Sequence, residues 1–343
     1  MECMQASQNC EIRELKLKDP FGLSRGVKKT VRNLFLRIGE GWGEGAPIYY
    51  RGQSVEAMLK MAEEWFHSPH DLHRPIAEQV RVLFERFPSQ SGLIQAFDLA
   101  LHDAWGKREG RPLYELWGLD PKNAPFSSFT IGLDKKEIVL EKVRKAETYP
   151  ILKIKTGGDN DLDLLAAIRN ETQKPLLIDA NEGWSCDQTL EYLPYLRELG
   201  VRLLEQPLPG HDREGYKRLC RFNPTGIPIF VDEAVQGPED VEAWQGSVQG
   251  INVKLAKCGG LARALEMIRK ARECGMLVML GCMIESSLAI TAAAHLAPLV
   301  DYADLDGADL IADDPFTGMK LQRGSMVLPK KNGIGAEPVC STP

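Results

Sequence analysis

Charged residues recur at regular intervals in the middle of the chain, each at the end of a short apolar run. They are Lys155, Asp179, Glu205, Asp232 and Lys254, and the steps between them are 24, 26, 27 and 22 residues. Each step is long enough for one strand and one helix of a parallel barrel, and such barrels hold their active sites at the carboxyl ends of the strands. The spacing therefore predicts that five successive strands bring a charged group to one rim.

The three carboxylates in this series predict a metal site. Three carboxylates on neighbouring strands cannot all ionise in a dry pocket without a cation. Because this set contains no histidine or cysteine, Asp179, Glu205 and Asp232 are the predicted ligands of one Mg²⁺ per subunit. Alternatively, each carboxylate caps the helix that follows its strand. Three carboxylates in consecutive units favour the metal.

The two flanking lysines predict proton transfer at carbon. With Lys155 and Lys254 on opposite faces of a substrate, one base removes a proton and the other returns it, through an enediolate that the metal stabilises. Such a base needs a lowered pKa. Lys153 lies on the same strand face as Lys155, where its charge would lower that pKa and bind the substrate carboxylate. The alternative is that Lys153 and Lys155 face water.

Composition limits the classes of partner and location. The chain has 343 residues and a net charge of −6, so neither a nucleic-acid nor a membrane partner is expected. No apolar run suits a membrane span or a signal peptide, which predicts a cytoplasmic protein. Eight cysteines without a C-x-x-C pair indicate reduced thiols and not a zinc site. The oligomeric state is left open, a homo-oligomer included.

Two sequence patterns divide the chain. "TVRNLFLRIGEGWGEGAPI" alternates like an antiparallel strand and "SVEAMLKMAEEWFHS" has helical spacing, which predicts an α+β capping domain over residues 1–124. Short apolar strands then alternate with amphipathic helices over 125–320, which predicts an α/β fold with a parallel barrel that holds the catalytic site. Residues 321–343 are predicted to return to the capping domain. The predicted barrel strands are FSSFTIG, ILKIKT, PLLIDAN, VRLLEQP, PIFVDEA, GINVKLA, LVMLGCM and ADLDGAD.

Several of these segments resemble a known family. "KIK", "LIDANEGW", "LLEQPLP", "FVDEA" and "INVKLAKCGG" resemble the barrel motifs of the enolase superfamily, in its muconate-lactonizing-enzyme-like subgroup. The resemblance covers nearly the whole chain and implies a modified (β/α)7β TIM-like barrel with an α+β N-terminal cap, in which a lysine base works with Mg²⁺. "ADLDG", "PFGLSRGV", "TIGLD" and "LGCMIESS" are similar to the dipeptide epimerases. This similarity implies a dipeptide substrate that is epimerised at the α-carbon of its C-terminal residue.

The resemblance also implies the residues that contact the substrate. Dipeptide epimerases use an Asp-x-Asp pair to hold the ammonium of the dipeptide, and Asp304 and Asp306 match that pair at the end of the last predicted strand. Alternatively, the two aspartates only signal a turn before Gly307. Further predicted substrate contacts are Thr130, Cys282, which we expect to pack beside the substrate without acting as a nucleophile, and Ile284. Asn181 and Glu233 follow predicted ligands and are expected to orient a ligand or a lysine, whereas Lys257 is expected to contact only the rim.

A basic loop predicts the substrate's side chain. "PFGLSRGVKKT" lies where a cap would close over the barrel, and Arg25 is suited to holding a carboxylate bidentately, which favours L-Ala-D/L-Glu as the substrate and peptidoglycan-peptide metabolism as the pathway. Alternatively, Arg25 only braces the loop, and Lys28 and Lys29 face water. Glu285 is a counter-signal, because a carboxylate near the pocket would favour a cationic side chain.

Two other functions remain open at this stage. One is a lyase or cycloisomerase on the same scaffold, such as an o-succinylbenzoate synthase, or an N-acylamino-acid racemase. The other is a binding protein that has lost its chemistry. The aspartate pair argues against the first, and the complete set of two lysines and three carboxylates argues against the second.

Overall fold

The computed structural model describes residues 9–23, 26–68, 74–158 and 160–339. Its N-terminal part combines a three-stranded antiparallel sheet with helices, as predicted. The strands are β1 (Asn9–Leu23), β2 (Gly26–Ile38) and β3 (Gly41–Gly45), and the helices are α1 (Val55–Phe66), α2 (Ile76–Arg86), α3 (Ser91–Arg108) and α4 (Leu113–Leu116). The hydroxyl of Ser54 accepts a hydrogen bond from the Ala57 amide and begins α1, because it satisfies one of the helix's free donors.

The segment expected to be a loop is mostly paired strand. β1 and β2 continue their pairing as far as Phe21 opposite Lys28 and Leu23 opposite Gly26, with an irregularity between Lys16 and Phe21. The loop prediction is therefore wrong for these residues, because main-chain pairing outweighs the turn preference of the Pro and Gly residues. Arg25 lies outside the described residues.

A barrel of parallel strands follows. Its strands are β4 (Phe129–Ile131), β5 (Leu152–Lys155), β6 (Leu176–Asp179), β7 (Val201–Glu205), β8 (Ile229–Val231), β9 (Gly250–Lys254), β10 (Leu277–Gly281) and β11 (Tyr302–Asp304). They are hydrogen-bonded in chain order, and the Ser128 amide donates to the Ala303 carbonyl at 2.9 Å, which closes β11 onto the start of β4. This topology confirms the predicted (β/α)7β barrel with its N-terminal cap.

Helices surround most of the barrel. They are α5 (Lys136–Lys145), α6 (Asp161–Glu171), α7 (Cys186–Glu198), α8 (Arg213–Phe222), α9 (Leu255–Cys258), α10 (Leu261–Glu273) and α11 (Ser287–Ala294). A short 3₁₀ turn at Glu242–Trp244 takes the place of a helix between β8 and β9. No helix among the described residues is both long and apolar enough to cross a membrane. The six cysteines in this part of the chain are free thiols.

A buried apolar layer fills the barrel below the charged rim. Leu177, Leu203 and Phe230 each lie two residues before a predicted metal ligand, and together with Met279 they form one buried cluster. Because alternate residues of a strand point to the same face, the carboxylates that follow also point into the barrel. The ligands are thus fixed on rigid strands.

A buried carboxylate joins the capping domain to the barrel. Glu44 of β3 accepts hydrogen bonds from the amide and hydroxyl of Ser286, at 2.9 and 2.5 Å, and from the Ala289 amide at 3.3 Å. These donors lie at the N-terminus of α11, whose free amides favour a negative charge. Burial and the charge of Glu285 raise the pKa of Glu44 to about 7. A cap strand therefore supplies the N-terminal capping group of a barrel helix.

The last segment contacts the capping domain. It contains the short strands β12 (Phe316–Thr317), β13 (Lys320–Gln322), β14 (Ser325–Val327) and β15 (Glu337–Pro338). The Ile334 amide donates to Asp103 of α3 at 2.9 Å, and the Gly333 carbonyl accepts from the Leu113 amide at 3.1 Å. We propose domain boundaries near residues 124 and 320, with 321–343 returning to the capping domain.

His295 connects this segment to the rest of the protein, and it predicts a pH-dependent stability. Its Nδ1 accepts from the Tyr114 amide at 3.1 Å, so its Nε2–H donates to the Ile334 carbonyl at 2.9 Å. Burial lowers the pKa of His295 from 6.5 to about 4, so the folded protein favours the neutral ring. As the pH falls from 6.5 to 4, the unfolded chain takes up a proton that the folded protein does not, and up to about 3 kcal/mol of stability is lost.

The measurement is the free energy of unfolding in urea between pH 7 and 4. We expect His295→Ala to be less stable than the parent at pH 7 and to approach the parent as the pH falls. His67→Ala, at an exposed histidine, is the matched control and should follow the parent throughout. A constant difference between the parent and His295→Ala would contradict the prediction.

Candidate active site

The structure brings the predicted charged residues to one rim. Lys155, Asp179, Glu205 and Lys254 are the last residues of β5, β6, β7 and β9, and Asp232 directly follows β8. The parallel register sets Lys155 beside Asp179 and Asp179 beside Glu205. Neighbouring strands therefore place the five side chains around one point.

The three carboxylates suit a divalent cation. Asp179, Glu205 and Asp232 are buried, and one oxygen of each lies within 4.8 Å of the others. Burial and the charge of Asp179 raise the pKa of Glu205 to about 7. Among the described residues, its Oε2 receives no hydrogen bond, although Lys153 Nζ lies 2.7 Å away. An all-oxygen set with excess negative charge is what Mg²⁺ requires.

Buried lysines surround these carboxylates. Lys153, Lys155 and Lys254 are only 1%, 8% and 7% exposed, so the alternative that the pair on β5 faces water is wrong. Lys155 Nζ lies 2.5 Å from Asp179, and Lys254 Nζ lies 2.7 Å from Asp232. Since these are the two outer strands of the carboxylate row, the amines lie on its two sides.

The surrounding charges oppose the expected lowering of the lysine pKa. Burial favours the neutral amine of Lys254, but the charges of Asp232, Glu205 and Glu233 together outweigh burial and raise its pKa. Lys153 behaves in the same way, because Asp304 and Glu205 raise its pKa well above the ordinary value despite burial. Beside bare carboxylates, Lys254 therefore does not have the lowered pKa that a base needs. A cation bound to these carboxylates would weaken the effect.

The aspartate pair lies in the cavity at this rim, but its two members differ. Asp304 ends β11 and accepts hydrogen bonds from Lys153 Nζ at 2.9 Å, from the Ser128 hydroxyl at 2.6 Å and from the Thr130 hydroxyl at 2.9 Å. Asp306 lies beyond the strand, in a turn, and accepts from the Thr130 amide at 2.6 Å. Burial and the charge of Asp304 raise the pKa of Asp306 to about 7. The prediction that both lie at the end of the strand is wrong, although both line the cavity.

The loop after β10 forms one wall of this cavity. Cys282 and Ile284 line it, together with Thr130. Burial raises the pKa of the Cys282 thiol well above its ordinary value, which suits packing and not nucleophilic attack. Glu285 is buried behind this wall, where Gln95 Nε2 donates to it at 2.5 Å. Glu285 lines neither of the two cavities at this rim, so it gives no support for a cationic substrate.

A second cavity adjoins the first. The residues that line both cavities are Lys28, Pro47, Tyr49, Lys155, Lys254 and Met283. Asp304 and Asp306 line the first cavity and not the second. The second is completed by Asp232, Asn181, Glu233, Tyr50 and Ile48. The main-chain N–H of Asn181 donates to Asp179 at 3.1 Å, and its side-chain amide donates to Glu233 at 3.2 Å. Asn181 thus contacts a predicted ligand through its main chain, and the orienting role of its side chain stays a prediction.

Three residues that position the carboxylates were not foreseen. Asn252 donates to Glu205 at 2.7 Å, and the Gln206 side chain accepts from the Asp232 amide at 2.7 Å. Lys257 is buried and donates to Asp232 Oδ1 at 2.5 Å and to three main-chain carbonyls, so the prediction that it only contacts the rim is wrong. Strand alternation could have indicated Asn252, two residues before Lys254. The contacts of Gln206 and Lys257 depend on loop geometry that the sequence does not show.

Comparison with known proteins identifies the family. Residues 138–340 match the family described as enolase C-terminal domain-like. The L-Ala-D/L-Glu epimerase of Bacteroides thetaiotaomicron is 37% identical over 94% of this chain and 85% of its own. The L-Ala-D/L-amino acid epimerase of Maribacter sp. is 37% identical over 94% of this chain and 96% of its own. The crystal structure of a dipeptide epimerase from Methylococcus capsulatus, complexed with Mg and the dipeptide L-Arg-D-Lys, has a TM-score of 0.88 and 28% identity over 96% of this chain and 99% of that chain.

The fold, the site and these matches agree. A capped parallel barrel with three carboxylates between two lysines belongs to the enolase superfamily, and so does this chain. Within the superfamily, the chain is a member of the dipeptide epimerase family. The resemblance read from the sequence is confirmed.

Proposed function

We propose that this protein is a Mg²⁺-dependent dipeptide epimerase that transfers a proton at the α-carbon of the C-terminal residue, with L-Ala-D/L-Glu as the substrate. The observation behind this proposal is the position of Lys155 and Lys254 on the two sides of the carboxylate row. A cytoplasmic location and a place in peptidoglycan-peptide metabolism belong to the same proposal.

The carboxylates provide the metal site of the proposed reaction. Asp179, Glu205 and Asp232 would hold Mg²⁺, and Asn252 and Lys257 fix the orientation of Glu205 and Asp232. When bound, the ion supplies positive charge that stabilises the negative charge developing on the substrate carboxylate as the α-proton leaves. Asn181 and Glu233 orient the nearby groups.

The lysines provide the two bases. One of Lys155 and Lys254 is neutral and accepts the α-proton, while the other is an ammonium and donates a proton to the opposite face. Lys153 contributes a fixed positive charge near the substrate carboxylate, because three carboxylates surround it. If one base removed the α-proton and returned it to the same face, the configuration would be retained. Two buried amines on opposite sides favour inversion instead.

The aspartates bind the substrate's ammonium. Asp304 already accepts three hydrogen bonds, whereas Asp306 accepts one from the described residues. Asp306 therefore has the greater capacity for a new donor, and Thr130 holds both carboxylates in place. Cys282 and Ile284 pack beside the N-terminal residue of the dipeptide.

Acetylating the substrate tests this proposal. We expect Mg²⁺-dependent epimerisation of L-Ala-L-Glu, measured by α-proton exchange in D₂O, and a kcat/KM at least about 10-fold lower for the N-acetylated dipeptide, because a charged hydrogen bond is lost. Asp306→Asn should lower kcat/KM for the free dipeptide by about 10- to 100-fold and leave the acetylated one nearly unchanged. Exposed Asp187→Asn is the matched control. Equal rates on free and acetylated dipeptides would instead indicate an N-acylamino-acid racemase.

A further inference from the structure

Lys28 extends from the capping domain into the active site. It lies on β2 near the end of the hairpin, where its main chain pairs with Phe21 of β1. Both side chains line the first cavity, and Lys28 also lines the second. The side chain is half-buried. The hairpin thus places a cation in the space that faces the barrel rim.

The charge of Lys28 is poorly compensated. Its ammonium lies 5.0 Å from the centre of the Tyr49 ring, a cation–π contact. Within the described ranges, Lys28 forms no ion pair, whereas Lys153, Lys155 and Lys254 each pair with a buried carboxylate. Burial lowers the pKa of Lys28, which reflects the cost of holding its charge there. An anionic ligand group near Lys28 would remove that cost.

The proposed function leaves one anionic group of an acidic dipeptide available for this cation. In the proposed function, the substrate's α-carboxylate would bind at the metal site, and its ammonium would bind Asp306. Lys28 shares both cavities with Lys155 and Lys254, whereas Asp306 lines only the first. Lys28 therefore has access to the space beside the two lysines as well as to the space beside Asp306, and in an acidic dipeptide the remaining anionic group is the side-chain carboxylate of the C-terminal residue.

We propose that Lys28, supported by Tyr49, binds the side-chain carboxylate of the C-terminal residue and so selects dipeptides with an acidic residue at the epimerised position. This inference rests on the proposed function and assigns side-chain selection to a described residue of the hairpin. Glu233 lines the second cavity and would favour a basic side chain, but Lys155 and Lys254 already lie beside it there.

The test compares L-Ala-L-Glu with L-Ala-L-Gln, which has nearly the same shape without the charge. We expect the parent to favour L-Ala-L-Glu in kcat/KM by at least about 10-fold. Lys28→Met should lower kcat/KM for L-Ala-L-Glu by about 10- to 100-fold, the usual effect of losing a hydrogen bond to a charged group, and should leave L-Ala-L-Gln nearly unchanged. Lys28→Glu should favour L-Ala-L-Lys. Lys29→Met is the matched control, because Lys29 is the exposed neighbour.

Each other outcome overturns the inference. If the parent has the same kcat/KM for L-Ala-L-Glu and L-Ala-L-Gln, no cation selects the side chain. A Lys28→Met variant that loses activity on both alike shows a structural role only. A parent that prefers L-Ala-L-Lys would indicate Glu233 as the selecting residue. A parent that epimerises none of the three dipeptides refutes the proposed function itself, and this inference with it.

Discussion

Lys155→Ala and Lys254→Ala are each expected to lower the rate of epimerisation by about 10³-fold or more. General bases contribute about 10²- to 10⁴-fold, and inversion needs both of them. Each variant should still exchange the α-proton of one substrate configuration with D₂O, because the remaining lysine lies on one side of the carboxylate row. By family resemblance, we expect Lys155 to serve the (R) substrate and Lys254 the (S) substrate.

The measurement is α-proton exchange in D₂O, followed separately for L-Ala-L-Glu and L-Ala-D-Glu with each variant. Lys217→Ala, at an exposed lysine of α8, is the matched control and should exchange both configurations at the parent's rate. If Lys155→Ala and Lys254→Ala each exchange both configurations equally, the assignment of one lysine to each face is wrong.

Asp179→Asn, Glu205→Gln and Asp232→Asn are each expected to abolish Mg²⁺-dependent turnover, and Glu205→Gln should do so with little loss of folding stability. The charge removed is one that binds the cation, and Glu205 already has a raised pKa because it is buried and two other carboxylates lie close by. Calorimetry should show at least about 10-fold weaker Mg²⁺ binding for each variant, independently of activity. EDTA should stop turnover by the parent, and added Mg²⁺ should restore it.

Exposed Asp313→Asn provides the matched control for these substitutions and should bind Mg²⁺ as the parent does. Full activity of the parent after thorough removal of divalent ions would contradict the metal site. Unchanged Mg²⁺ binding in all three variants would place the ion elsewhere.

The ends of five strands could be predicted from the sequence because apolar runs mark the strands and a charged residue ends each of these five runs. Lys155, Asp179, Glu205 and Lys254 are the last residues of their strands, as the spacing predicts. The last strand was misplaced, because Tyr302 begins it and Asp306 lies in the following turn. Short strands contain too few residues to fix their ends by alternation alone.

Contacts between distant segments could not be predicted in the same way. The pairing of Phe21 with Lys28 depends on the register of the whole hairpin, whereas the local sequence contains the Pro and Gly of a loop. Gln206 reaches Asp232 because its backbone has a φ of 41°, a left-handed conformation that few non-glycine residues adopt. Likewise, the raised pKa of Lys254 depends on its distance from Asp232.

The carboxylate of Glu44 at the start of α11 has an evolutionary consequence. Recombination that exchanged the first 124 residues for another cap would have to bring a carboxylate to the same place, or leave Ser286 and Ala289 without their acceptor. The loop that contains Cys282 and Ile284 leads directly into that helix. We therefore expect the two parts of the chain to be inherited together, with new substrate preferences arising by point substitution at the hairpin near Lys28.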